Sequence, residues 1–145
     1  MRSGAITLVI DSCLDHVFLV GVAVRGIARD AGLDELRAAQ VELAVVEGVN
    51  NAIEHAYRGV RGQRVEVLVG VAGQRLTIEI ADSGLSMQWD AECAAAELRA
   101  LSDPLADGGR GLMIIREVMD EVGYRSAGGR NILSLTKWIT DEARN

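Results

Sequence analysis

Aromatic residues are nearly absent from this chain. Two tryptophans, two tyrosines and one phenylalanine make up 3% of the 145 residues, so any core must be aliphatic. The hydrophobic fraction of 49% supplies Val, Ile, Leu and Ala for that core and is too high for a disordered chain. Lysine is almost missing as well. Lys137 is the only one and no GxxxxGK[ST] run occurs, which excludes chemistry built on a P-loop lysine. Basic residues do not cluster, and a formal net charge of -6 with a pI of about 4.9 argues against direct binding of nucleic acid or of an anionic membrane surface. The two cysteines, Cys13 and Cys93, lack metal-ligand spacing and fit a reducing cytoplasm as small hydrophobes. Long hydrophobic runs are missing too. Ala5–Ile10 is too short for a signal peptide, and Val17–Val24 falls far below the roughly 20 residues that cross a bilayer. These absences predict a soluble cytoplasmic protein, and the length predicts one domain spanning residues 1–145.

What is present reads as an alternation of strands and helices. Ala5–Ile10 is rich in β-branched residues and predicts a strand. Asp11 or Ser12 is placed to cap a following helix that Gly32 ends. That helix has no polar side chain from Val17 to Val24. Either it is buried on two sides, or it offers an apolar face to another chain. A second helix starts at Leu33 or Asp34 and runs to about Arg58. Val65–Val71 and Leu76–Ala81 alternate as strands, with Ala72-Gly73-Gln74 suited to a hairpin turn. A long connection follows, about 85–109, with an Ala-rich helical piece at Asp90–Leu101 and the only proline, Pro104. Connections this long within a compact domain are usually functional lids or disordered. A helix from Leu112 to about Glu121, a strand at Val122–Ser126, a Gly128-Gly129 turn and a strand at Ile132–Ile139 complete the chain before a polar tail, Thr140–Asn145.

The second helix is the stretch around which the rest is organised. Val45, Val46, Val49, Ala52, Ile53 and Ala56 form one apolar stripe. On the opposite side Glu47, Asn51 and His55 follow at i, i+4, i+8 and share one row. A carboxylate, a carboxamide and an imidazole in a row suit a metal or phosphate site, and equally a solvated face. Two more features stand downstream. Asp82 ends an apolar strand before a flexible Ser-Gly, which suits either a turn aspartate or a carboxylate receiving a ligand's amino group. Gly109-Arg110-Gly111 opens a helix, where backbone N–H groups and the helix dipole suit phosphate, although glycines also simply end loops.

Order and spacing join these features: an E-x-x-x-N-A helix, a hairpin, D-x-G, a long connection, then G-x-G-L at a helix start. This resembles the ATP-binding domain of the GHKL superfamily, which holds gyrase, Hsp90, histidine kinases and the MutL proteins, and the likeness covers nearly the whole chain. Within it, NAIEHAY, RGLMIIREVMDEVGY and the length resemble the bacterial anti-sigma factor serine/threonine kinases. A histidine kinase would be expected to carry a helical phosphoacceptor segment, for which there is no room before Ala5.

The resemblance implies an α+β two-layer sandwich, the Bergerat ATP-binding fold. Its mixed, mostly antiparallel sheet is covered on one face by helices, with an ATP lid. It implies that ATP and Mg2+ are the cofactors, that Asn51 is the Mg2+ ligand and that Glu47 is the general base. Asp82 would receive the adenine amino group, with Gly84 allowing close approach. Gly109, Arg110, Gly111 and Leu112 would form the phosphate loop, and His55 would face the nucleotide. The implied partners are a STAS-domain anti-anti-sigma protein carrying the phosphoacceptor serine or threonine, a sigma factor, and a second copy in a homodimer. The chain departs from the family pattern at Leu85-Ser86-Met87, where a further glycine or proline is common, and in a less polar lid. At the start of the last strand, Arg130 and Asn131 stand where a hydroxyl often fixes the aspartate. Two rival functions share this fold: a binding module with ATP as a structural ligand, and a catalytic domain acting on a separate phosphoacceptor histidine.

Overall fold

The structure, a computed structural model, describes residues 4–102 and 111–140. Among these residues five strands form one sheet: β1 (Gly4–Asp11), β2 (Arg64–Ala72), β3 (Arg75–Asp82), β4 (Glu121–Ala127) and β5 (Arg130–Trp138), in the order β1-β2-β3-β5-β4. Every neighbouring pair is antiparallel, so the sheet has none of the parallel pairing that a mixed sheet would carry. Alternation decides its two faces. Val65, Val67 and Val69 of β2, Leu76, Ile78 and Ile80 of β3, and Leu133 and Leu135 of β5 are buried under the helices. The opposite face is solvated and carries ion pairs such as Arg130–Glu66 at 2.7 Å and Arg125–Glu79 at 3.5 Å.

Among the described residues four helices accompany the sheet: α1 (Val17–Ala31), α2 (Glu35–Asn51), α3 (Trp89–Ser102) and α4 (Gly111–Val118). α2 lies between α1 and α4. It starts where Asp34 accepts a hydrogen bond from the Arg37 amide at 2.8 Å, as an N-cap should. Its last turn, Ala52–Ala56, is π-helical, so the predicted single helix to Arg58 continues with a wider final turn. Gly32 ends α1 at φ 114, a conformation that glycine reaches without steric cost.

The start of α1 differs from expectation. Neither Asp11 nor Ser12 caps it. Cys13 precedes a short 3-10 turn, Leu14–His16, and no side chain caps either element. Ser12 is buried and used elsewhere: its hydroxyl donates to the Val60 carbonyl at 2.6 Å and accepts from the Gln63 amide at 3.0 Å. That satisfies a buried hydroxyl with two partners from a distant loop, which a local cap could not do. The choice left open for α1 is resolved in favour of an apolar outer face. Val17, Val20, Val24 and Ala28 are buried, while Phe18 is 72% exposed and Leu19 63%.

The last part of the predicted connection, from residue 103 and including Pro104, and the tail from residue 141 lie outside the described residues. Among the described residues no helix is long and apolar enough to cross a membrane.

Candidate functional site

A cavity of about 1060 Å³ opens between the end of α2, the C-terminal end of β3, the segment leading into α3, and the start of α4. Its lining includes Glu47, Asn51, His55, Asp82, Gly111 and Leu112. Six of the nine residues singled out in the sequence therefore meet in one place. Gly84 packs directly behind the wall. Gly109 and Arg110 lie outside the described residues.

The row on α2 forms one side. The Asn51 amide nitrogen is the one buried side-chain polar atom without a hydrogen-bond partner among the described residues. A buried donor or acceptor left unpaired is costly, and such groups in a cavity point to a ligand. Burial holds the Glu47 carboxyl above its ordinary pKa, and the neighbouring Glu54 carboxylate pushes the same way. His55 is exposed at the cavity wall, in the π-helical turn.

Gly111 explains its own identity. A Cβ at this position would lie 2.7 Å from Glu47 Oε2 and 3.7 Å from both the oxygen and the nitrogen of the Asn51 amide. The first residue of α4 thus sits directly against both polar groups of α2, and only glycine leaves the carboxylate in place. Gly111→Ala should displace the Glu47 side chain and slow any reaction that uses it by roughly tenfold, through misplacement rather than unfolding. Steady-state rates beside a thermal melt check this. An unchanged rate would show that the contact has no role in the chemistry.

Asp82 forms the other side and is 8% exposed. Its register partner on β5 is Asn131, whose own partner on β4 is Ser126, so the three lie in one row across the sheet. The Asn131 amide donates to Asp82 Oδ1 at 2.7 Å and to the Gly84 carbonyl at 3.0 Å, while Ser126 donates to its oxygen at 2.7 Å. Gly84 N–H adds a bond to the same Oδ1 at 2.9 Å. One carboxylate oxygen is thus held by two donors. Burial pushes the Asp82 carboxyl above its usual pKa, against the pull of Asn131, the Gly84 N–H and Arg130. Asn131 therefore stands where the family pattern places a hydroxyl and makes the bond to the aspartate itself. Asn131→Leu should leave Ser126 and the Gly84 carbonyl without this partner and Asp82 with one donor instead of two, and cost about 1–3 kcal/mol, read from urea denaturation. A loss below about 0.5 kcal/mol would show that the row carries little stability.

Gly84 is fixed by close approach. A Cβ there would collide with the Ala56 carbonyl, the same oxygen that accepts from Leu85 N at 2.9 Å. The end of α2 is thereby bolted to the strand exit after Asp82. Tyr57, the last residue of the NAIEHAY motif and given no role of its own in the sequence, helps. Its hydroxyl donates to the Arg64 carbonyl at 2.6 Å and accepts from Ser83 N at 2.7 Å.

Residues 10–137 match the histidine kinase-like ATPase domain. The chain belongs to that family and, within it, to the anti-sigma factor serine/threonine kinases of the GHKL superfamily. It is 32% identical over 133 residues to the serine-protein kinase RsbW of Bacillus licheniformis, covering 88% of this chain and 81% of that one. The RsbW of Bacillus subtilis is 28% identical over 131 residues, with 88% of this chain and 81% of that one covered. Among solved structures, the RsbU and RsbW domains of a Mycobacterium tuberculosis protein share the fold at a TM-score of 0.66 and 20% identity. That match covers 93% of this chain and only 32% of the longer one.

Proposed function

We propose that this protein is an ATP- and Mg2+-dependent protein serine/threonine kinase of a partner-switching system in the cytoplasm. It would phosphorylate a STAS-domain antagonist and hold a sigma factor in alternation with it. The observation that carries the reading is the arrangement of the cavity. Glu47 and Asn51, whose amide nitrogen has no hydrogen-bond partner among the described residues, meet Gly111 on one side, and a buried, oriented Asp82 stands on the other.

Asp82 reads the base. One of its oxygens is held by Asn131 and Gly84, which leaves the other to accept from the exocyclic amine of adenine. Asn51 fits Mg2+, because an amide can turn its oxygen, a hard ligand, toward the cation. No three His, Cys, Asp or Glu side chains gather as a metal cage among the described residues, so a cation here would draw its other ligands from phosphate and water, as Mg2+ does. When bound, Mg2+ supplies charge neutralisation for the phosphate oxygens. Glu47, with its raised pKa, takes the proton of the acceptor hydroxyl as that oxygen bonds to the γ-phosphorus and ADP departs. The start of α4, with Gly109, Arg110, Gly111 and Leu112, is assigned to the phosphates, and His55 to the nucleotide side of the cavity. The connection 85–109 would act as the lid.

Phe18, Leu19 and Val22 of α1 are exposed, as is Ile6 on the helix-bearing face of the edge strand β1, and this apolar exposure suits a homodimer. The test is incubation with Mg-ATP and a STAS-domain protein from the same organism. Acid-stable phosphoserine or phosphothreonine on that partner is expected. Acid-labile phosphate would favour a histidine acceptor. Partner binding without transfer would favour a binding module with ATP as a structural ligand.

A further inference from the structure

After Asp82 the backbone leaves the sheet and runs without regular structure until α3 begins at Trp89. This segment supplies Leu85, Ser86, Met87 and Gln88 to the cavity wall. Irregular backbone beside a cavity must find partners for its amides. Up to Leu85 it finds them in the site already described: Tyr57, Asp82 and the end of α2. Beyond Leu85 a different residue takes over. Met87 N donates to the Tyr124 hydroxyl at 2.9 Å. The Tyr124 ring also lies against Trp89, with centroids 5.7 Å apart and planes 10° from parallel. Tyr124 sits on the edge strand β4, beside Leu133 in register, and itself lines the cavity. In a chain with two tyrosines and two tryptophans, one of each is spent on this junction.

We propose that Tyr124 is a positioning residue for the nucleotide: by holding Met87 and Trp89 it fixes the wall 85–88 beside Asp82 and sets the root of α3. The proposal rests on the nucleotide reading given above. Its physical content is a division of labour. Glu47 and Asn51 act where bonds change, whereas Tyr124 acts on how long the nucleotide stays. Loss of Tyr124 frees the Met87 amide and uncovers one face of Trp89, so the wall loosens while the reacting groups on α2 keep their places.

The test uses the full chain in a Trp138→Phe background, which leaves Trp89 as the only tryptophan and its emission as a reporter of the stack. Tyr124→Phe keeps the ring and removes the acceptor for Met87. Tyr124→Leu removes both. Tyr124→Leu should weaken ATP binding by roughly tenfold through faster dissociation, with kcat within about twofold of the parent. Tyr124→Phe should fall between, at about threefold, and keep the parent's Trp89 emission. If Tyr124→Leu fails to fold, Tyr124→Phe decides. Unchanged ATP affinity in the folded variants overturns the proposal, as does a loss confined to kcat. A parent protein that binds no adenine nucleotide would instead sink the nucleotide reading, and this inference with it.

Discussion

Asn51→Ala is expected to abolish Mg2+-dependent ATP binding, raising Kd by on the order of 100-fold or more. The Asn51 amide is half-buried in the α2 row and its nitrogen has no hydrogen-bond partner among the described residues. A solvated helix face does not need such a group, and folding gains nothing from it. Removing it should therefore leave the melting temperature unchanged or slightly raised while binding collapses. Calorimetric titration with and without Mg2+ separates the two contributions. In the variant, the Mg2+ effect on ATP affinity should vanish. Unchanged affinity would show that the amide is not the cation's ligand and that the α2 row was assigned wrongly.

Glu47→Gln should leave ATP bound and lower phosphoryl transfer by roughly 100- to 10,000-fold, the span of a lost general base. It should also stabilise the nucleotide-free protein. The folded pKa of Glu47 is raised, first by burial and then by Glu54. A raised folded pKa means that the folded state binds the proton more tightly than the unfolded chain. That contribution is present below the ordinary glutamate pKa and is lost as the pH rises through the folded value. At neutral pH the ionised carboxylate is therefore a cost, which glutamine removes. Because Glu47 is only half-buried, screening keeps the gain to about 1 kcal/mol or less, a shift of roughly 2–4 °C. The gap between variant and wild type should close as the pH falls toward about 4. Asp82 shares the sign, since burial also raises its pKa, so both site carboxylates favour stability at low pH. A variant less stable than wild type at neutral pH would contradict this.

Much of this site was legible because its parts are local. The i, i+4, i+8 row of Glu47, Asn51 and His55 is a property of helix geometry and survives the π-helical turn at Ala52–Ala56, since all three line the cavity. Asp82 could be placed at a strand end from alternation alone. Gly111 could be assigned to a turn, although its reason is different. Its backbone is ordinary, and what requires glycine is the Glu47 carboxylate lying against it.

The parts that were not legible depend on register and distance. Asn131 reaches Asp82 across a separation of 49 residues because β3 and β5 pair in one register. A shift of one residue would turn Asn131 to the other face, and nothing local in either strand announces the pairing. Tyr57 and Tyr124 each close a stretch that carries the family likeness, NAIEHAY and RGLMIIREVMDEVGY, without a role of their own, and only the fold shows that their hydroxyls hold the amides of Ser83 and Met87. Ser12 misled for a related reason. Its position before a helix suits a cap, but the loop at Val60–Gln63 competes for the hydroxyl and wins. The apolar run of α1 was readable as a run; its exposure required the neighbours to be known.

The most direct test of the central claim is transfer from γ-labelled ATP to the STAS-domain partner, run side by side with wild type and Glu47→Gln at saturating Mg-ATP. The account predicts acid-stable label on the partner with wild type, and label reduced at least about 100-fold with the variant, although both proteins retain nucleotide. Equal labelling by the two proteins would contradict it.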